Sequence, residues 1–194
     1  MLHPTNLTAA LLAGGKSSRM GTDQALLTIN GATLIGRIAD VLKRVFDRVI
    51  VIADRGERYA FLQFPCYPDI VHDAGPLAGI HSALAHSATG HVFIVSCDTP
   101  FVSEAMIREV LARAHKHAVT IVSDGMRTHS LFGVYPTALR TEIEQSLLVG
   151  KRSVSGWLEA RGMEVLDFSR FAARLENINT PEEWEKAKSR RSDE

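Results

Sequence analysis

Apolar residues follow two rhythms along this chain. Short, nearly unbroken runs predict buried strands at Leu7 to Leu12, Val49 to Ile52 and His91 to Cys97. Val119 to Val122 and Leu131 to Tyr135 predict two more. Between them the apolar positions shift to helical spacing. From Thr33 to Phe46, residues Leu34, Ile35, Ile38, Val41, Leu42, Val45 and Phe46 share one face. Pro76 to His86 predicts a helix with proline in its first turn. Ser103 is placed to cap a helix carrying Met106, Ile107, Val110 and Leu111. Leu139, Ile143 and Leu147 mark another helix face, and Val154, Trp157 and Leu158 a shorter one. In "NTPEEW", Thr180 is the cap, Pro181 the first helical residue and Glu183 the closing member of a capping box.

Strands alternate with helices almost throughout. That pattern predicts an α/β protein with a mainly parallel sheet and helices on both faces. With no linker, repeat or low-complexity stretch, one domain is expected over 1–187, followed by a charged, fraying tail over 188–194. In such folds ligands bind beyond the carboxyl ends of the strands. The polar residues after the first three strands, Gly14 to Gln24, Asp54 and Asp98, should therefore line one rim.

Composition narrows the class. The 194 residues are 45% hydrophobic, enough for a substantial core, and the formal net charge is zero. Nothing in that charge favours nucleic acid or an anionic membrane as partner, so any anion site must be local. Cys66 and Cys97 form no CxxC pair. No signal peptide and no bilayer-spanning run is expected, and a reducing, cytoplasmic setting follows.

The first candidate site is "LLAGGKSSRMGTDQALL". Gly14 and Gly15 let backbone N–H groups approach a ligand, and Lys16 and Arg19 add charge suited to phosphate oxygens. The glycines alone would serve a tight turn equally well; the two cations favour an anion site. The segment is not a P-loop, because Ala10 stands where that motif needs glycine, and GxGxxG is absent. "SCDTPF" puts Asp98 at a strand's carboxyl end, either as a turn former or as a magnesium ligand beside phosphates. "DAGPLAG" supplies Asp73, Gly75 and Gly79, where backbone can pack against a base or simply lead into a core helix. Arg127 and His129 precede a strand and suit either a solvated hairpin or a polar ligand. Asn177 and Asn179 lie two apart, so extended chain would turn both amides to one side for a polar heterocycle; taken alone, turn and capping chemistry ahead of Thr180 is the simpler reading. No histidine pair has HExxH spacing, and His115 and His117 read as surface residues.

Taken in order, LAGGKSSRMG, DAGPLAG, CDTPF and NINTPEEW resemble the molybdenum cofactor guanylyltransferases over nearly the whole chain. The first motif alone marks a broader class of nucleotidyltransferases. The resemblance implies a three-layer α/β/α, Rossmann-like nucleotidyltransferase fold with a mainly parallel mixed sheet. It implies GTP as substrate, Mg2+ (with Mn2+ as a substitute) as cofactor and molybdopterin as acceptor, with a molybdoenzyme or chaperone receiving the product. By the same resemblance, Leu12, Ala13, Gly14, Gly15 and Lys16 belong to the nucleotide loop and Arg19 clamps the triphosphate. Asp69 contacts GTP, Gly79 belongs to the nucleotide-binding GPLAG turn, and Asp98 binds the metal. Arg152, Asn177 and Asn179 fall on the molybdopterin side.

Two positions depart from that pattern. Gln24 follows Asp23 where the family has lysine, and Ile52 stands where it has a GTP-contacting asparagine. A unit charge at 4 Å is worth about 1 to 4 kcal/mol between water and an effective dielectric of 20. Its loss from the transition state would slow turnover by roughly five-fold to a thousand-fold. The departures keep two other expectations open: a transferase of the same fold using CTP or another acceptor, and a non-catalytic nucleotide- or molybdopterin-binding protein.

Overall fold

The computed structural model describes residues 2–13 and 23–189. The elements run β1 (Leu7–Leu12), a hairpin of β2 (Thr28–Ile29) and β3 (Ala32–Thr33), α1 (Leu34–Val45), β4 (Val49–Ile52), β5 (Cys66–Tyr67), α2 (Pro76–His86), β6 (His91–Ser96) and α3 (Glu104–Arg113). They continue with β7 (Thr120–Ser123), β8 (Thr128–Pro136), α4 (Arg140–Leu148), α5 (Val154–Arg161), β9 (Glu164–Asp167) and α6 (Pro181–Lys188). A seven-stranded sheet has the order β5-β4-β1-β6-β8-β7-β9. Only β8 runs against the rest.

Alternation along each strand sends neighbours to opposite faces. Ala9 and Leu11 of β1 pack with Ile38 and Leu42 of α1 and with Met106 and Ile107 of α3. Ala10 and Leu12 enter a second cluster with Leu77 and Ile80 of α2, Ile143 of α4 and Trp157 of α5. Every residue of β1 is buried, which explains its nearly unbroken apolar run; the one polar member, Thr8, pairs with the Thr89 hydroxyl at 3.0 Å. The helices thus form two layers around the sheet, the three-layer α/β/α arrangement expected from the sequence.

Local signals explain most boundaries. The Thr33 hydroxyl accepts from Gly36 N at 3.1 Å and starts α1. Ser103 caps α3 in the same way. Thr180 and Glu183 form the expected capping box, and α6 runs through Lys188, so the helix includes the first residue assigned to the tail. The third strand ends at Ser96, one residue before the sequence boundary. The β2–β3 hairpin turns through Asn30 and Gly31, both at positive φ, a pair suited to a tight two-residue turn.

A third, smaller cluster joins distant parts of the chain. Ile29 and Leu34 from the hairpin region pack against Ile178 and Ala187, with Phe101 and Trp184 alongside. The Trp184 indole donates to the Thr28 carbonyl at 3.1 Å. Segments following the first and third motifs are thereby tied to the C-terminal motif. Among the described residues, no helix is long and apolar enough to cross a membrane.

Candidate functional site

β1, β4 and β6 end in register. Leu12 is level with Ile52 on one side and Ser96 on the other. Ala13 N donates to the Ile52 carbonyl at 2.9 Å, and Cys97 N donates to the Leu12 carbonyl at 3.0 Å. The chain therefore leaves three adjacent strands at one height, and their following residues rim a cleft of about 530 Å³. Leu12, Ile52 and Leu131 give it apolar walls; Asp54, Asp69, Asp73 and Asp98 give it carboxylates. A cleft of this size suits a nucleotide-sized ligand.

One side is built from Asp69 and α2. Ile70 N donates to the Ser82 hydroxyl at 2.9 Å, and that hydroxyl donates to the Ala78 carbonyl at 2.9 Å, tying the Asp69 segment to the helix. Asp69 Oδ1 is buried without a hydrogen-bond partner among the described residues. Burial, with repulsion from Asp54, pushes the Asp69 carboxyl up to about 6, against weaker relief from Ser82 and His72. A Cβ placed on Gly79 would lie 3.5 Å from a Leu12 methyl and 3.7 Å from Asp69 Oδ1. Those are ordinary contacts, so the fold tolerates a Cβ there and its absence leaves that space to the cleft. Ahead of α2, Asp73 and Gly75 take φ of 55° and 73°, turning the chain so that Pro76 starts the helix at the cleft wall.

The other side is built from Asp98 and the C-terminal motif. Asn177 Nδ2 donates to Asp98 Oδ2 at 3.2 Å, and Ile178 N donates to the Asp98 carbonyl at 2.8 Å. Asn177 Oδ1 is buried with no partner among the described residues. Burial raises the Asp98 carboxyl above its usual range; the Ser96 hydroxyl, with His129 and Arg127 further off, pulls the other way. Asn177 and Asn179 also line a smaller cleft with Arg127 and Glu183, and Asn179 N donates to Glu183 at 2.6 Å. Arg152 sits elsewhere. Its guanidinium donates to the Asp73 carbonyl at 3.0 Å, and it lines a third cleft with Trp157 and Arg161. The three residues assigned to the acceptor side thus do not share one cleft.

Gly14, Gly15, Lys16 and Arg19 lie outside the described residues. Leu12 and Ala13 stand at the end of β1 as expected. Gln24 begins a short 3-10 turn, and its Nε2 is buried without a partner among the described residues. Ile52, in the family's asparagine position, is a buried wall of the main cleft. His129 is spent on structure: its Nε2 lies 2.8 Å from Asp124 Oδ2. Asp124 also accepts from Met126 N and Arg127 N, closing the β7–β8 hairpin. Two residues outside the sequence candidates, Arg58 and Tyr59, contact Asp23 at 3.2 and 3.0 Å. No short-range pattern announces them, since the contact spans 35 residues or more.

A fold of this topology, with carboxylates gathered at the strand ends, is that of a nucleotidyltransferase. The chain belongs to the MobA-like NTP transferase family, whose domain matches residues 9–165. It is 31% identical over 187 residues to a Carboxydothermus hydrogenoformans protein named "Probable molybdenum cofactor guanylyltransferase", covering 93% of this chain and 94% of that one. It is 30% identical over 186 residues to the molybdenum cofactor guanylyltransferase of Yersinia pestis, covering 93% and 95%. Among solved structures, a protein from Aquifex aeolicus superposes with a TM-score of 0.81 at 29% identity, over 92% of this chain and 96% of that one. Molybdopterin-guanine dinucleotide biosynthesis protein A from Archaeoglobus fulgidus gives 0.76 at 22% identity, over 93% and 96%, a likeness of fold.

Proposed function

We propose that this chain transfers GMP from GTP to the terminal phosphate of molybdopterin. A phosphate oxygen of the acceptor forms a bond to the α-phosphorus of GTP. The bond from that phosphorus to the bridging oxygen breaks, and its electrons leave with pyrophosphate. The observation that carries this reading is the grouping of Asp69, Gly79 and Asp98 around one cleft at the ends of β1, β4 and β6.

Each side of the cleft suits a different part of the substrate. A carboxylate accepts hydrogen bonds and gives none. Asp69 therefore suits the adjacent N1–H and N2–H donors of guanine, with Gly79 leaving room for the ring. Asp98 suits Mg2+: the ion takes one or two carboxylates and completes its shell with water and phosphate. Among the described residues no group of three or more acidic, histidine or cysteine side chains could cage a metal, which fits an ion shared with substrate. When bound there, Mg2+ neutralises charge that builds on the phosphates. Asn177 holds the Asp98 carboxylate in orientation, and Lys16 and Arg19 are assigned to the triphosphate. The acceptor phosphate is already ionised at neutral pH, so no protein group is assigned as general base. Arg152, Asn177 and Asn179 are assigned to the acceptor side, Arg152 from the Asp73 edge and the asparagines from the Asp98 edge. We place the reaction in the cytoplasm, in a single domain over 1–187.

Purified protein with GTP, Mg2+ and molybdopterin should release pyrophosphate. No release, where a relative carrying lysine at position 24 is active, would sink the proposal. The orphaned amide of Gln24 and the apolar Ile52 make the nucleotide the point to probe, so CTP belongs in the same assay. Gln24→Lys should raise kcat by roughly five-fold or more if the missing cation limits turnover. Already efficient wild-type turnover would instead remove the binding-protein reading.

A further inference from the structure

The cleft is acidic, yet its proposed ligand is a polyanion. Asp23 adds another carboxylate close by. It shares the Tyr59 hydroxyl with the Ala13 carbonyl, one residue past Leu12 of the cleft wall. An unpaired Asp23 would oppose an incoming triphosphate.

The chain pairs it with care. The Asp23 side chain is only 15% exposed. Its carboxylate accepts from Tyr59 OH at 3.0 and 3.1 Å and from Arg58 Nη1 at 3.2 Å. It also accepts from Ala25 N at 3.2 Å, starting the turn that carries Gln24. Arg58 and Tyr59 are adjacent in the 3-10 helix Gly56–Leu62, between β4 and β5. The Tyr59 ring is 4% exposed, so the core fixes its hydroxyl. That hydroxyl also lies 3.4 Å from the Ala13 carbonyl, at the end of β1. Its proton is shared, with Asp23 the nearer acceptor. Residues 13 and 23 stand on either side of the first motif, so one phenol contacts both ends of the segment bearing Gly14 to Gly21. Burial, then the Asp23 charge, raises the phenol far above its usual range, so it remains a donor.

We infer that Tyr59 and Arg58 are positioning residues of the nucleotide site: they hold Asp23 ion-paired at the end of β1, keep its charge from opposing the triphosphate, and fix the turn presenting Gln24. The inference rests on the GTP reading above. Neither residue touches the reacting atoms; both act through Asp23.

The test uses the full chain. Tyr59→Phe keeps the buried ring and removes the hydroxyl; Arg58→Met removes the charge from a side chain that is 39% exposed. GTP affinity with Mg2+ is measured by calorimetry and turnover by pyrophosphate release, at a temperature where each variant is folded. Each should weaken GTP binding about ten-fold, the scale of one hydrogen bond to a charged group. Arg58→Lys should recover most of the loss. Combined with Asp23→Asn, either change should add little, because its partner is already neutral. A role in folding alone would lower Tm and leave GTP affinity within two-fold of wild type, which overturns the inference. So would full additivity with Asp23→Asn. If Tyr59→Phe does not fold, the Arg58 pair decides. Wild-type protein that neither binds nor turns over GTP overturns the proposed function and this inference together, whereas an active wild type with unaffected variants overturns the inference alone.

Discussion

The two sides of the cleft hold the same functional group in different surroundings. Asp69 is half-buried near a second carboxylate and leaves one buried oxygen with no partner among the described residues. Asp98 is half-buried too, but its carboxylate receives the Asn177 amide and its carbonyl receives Ile178 N. Both carboxyls are raised by burial. The difference lies in what each still lacks. Asp69 opens beside a glycine and suits a neutral partner with several donors. Asp98 is held in orientation on one oxygen and suits a cation. On the proposed reading, one carboxylate selects the nucleotide and the other neutralises charge.

The sharpest way to break this contrast is Asp98→Asn. It should cut kcat by about a thousand-fold, a few kcal/mol of lost charge stabilisation, with little change in KM for GTP. Pyrophosphate release checks it; a raised KM with kcat unchanged would mean that Asp98 works in binding. Asp69→Asn should do the reverse, raising KM for GTP by roughly five- to one-hundred-fold and narrowing the preference over ATP, the scale of a paired hydrogen-bond contact. The same variant carries a pH signature without ligand. Asp69 binds its proton more tightly in the folded chain, at about 6 against an ordinary 3.8, so its stability contribution is complete below 3.8 and is lost as pH rises through 6. Wild-type Tm should therefore fall relative to that of Asp69→Asn between pH 4 and pH 7, across the shift from 3.8 to about 6. A constant difference would contradict the raised carboxyl.

Asn177→Ala tests whether the amide serves the metal side. A loss of about ten-fold in kcat, with weaker Mn2+ binding in the presence of nucleotide, fits a positioning role. A change confined to KM for molybdopterin would assign Asn177 to the acceptor instead. Gly79→Ala is the mildest probe. Its new methyl meets nothing closer than 3.5 Å, so Tm should hold while KM for GTP rises by about two- to five-fold, as the base loses space. An unchanged KM would place the base elsewhere.

Much of this arrangement is legible in the residues alone, where the cause is local. Ser103, Thr180 and Glu183 announce helix starts because a cap acts within one turn. The burial of β1 is legible because both faces are covered. Direction is not: Leu131 to Tyr135 reads as a strand, but nothing in an apolar run tells that β8 is antiparallel. Cys66–Tyr67 is too short to show a period and is defined by its pairing with the longer β4, and Glu164–Asp167, half charged, by its pairing with β7. In the site, Gly79 and Asp98 are legible as motif members and Asp69 only through the family resemblance, and the cleft unites them. The contact of Asn177 with Asp98 is not, because 79 residues separate the partners and tertiary packing, with the Ile178 N to Asp98 carbonyl bond, brings them together. Arg58 and Tyr59 were missed for the same reason.

The central claim is that the Asp69 side selects guanine while the Asp98 side supports transfer. The most direct measurement is pyrophosphate release from GTP, ATP and CTP, with Mg2+ and molybdopterin, by wild type, Asp69→Asn and Asp98→Asn in parallel. Release from GTP should stand well above the others in wild type, the preference for GTP should shrink in Asp69→Asn, and release should be almost completely lost with every nucleotide in Asp98→Asn. Equal release from the three nucleotides by wild type, or undiminished release by Asp98→Asn, would contradict the proposed roles of the two carboxylates.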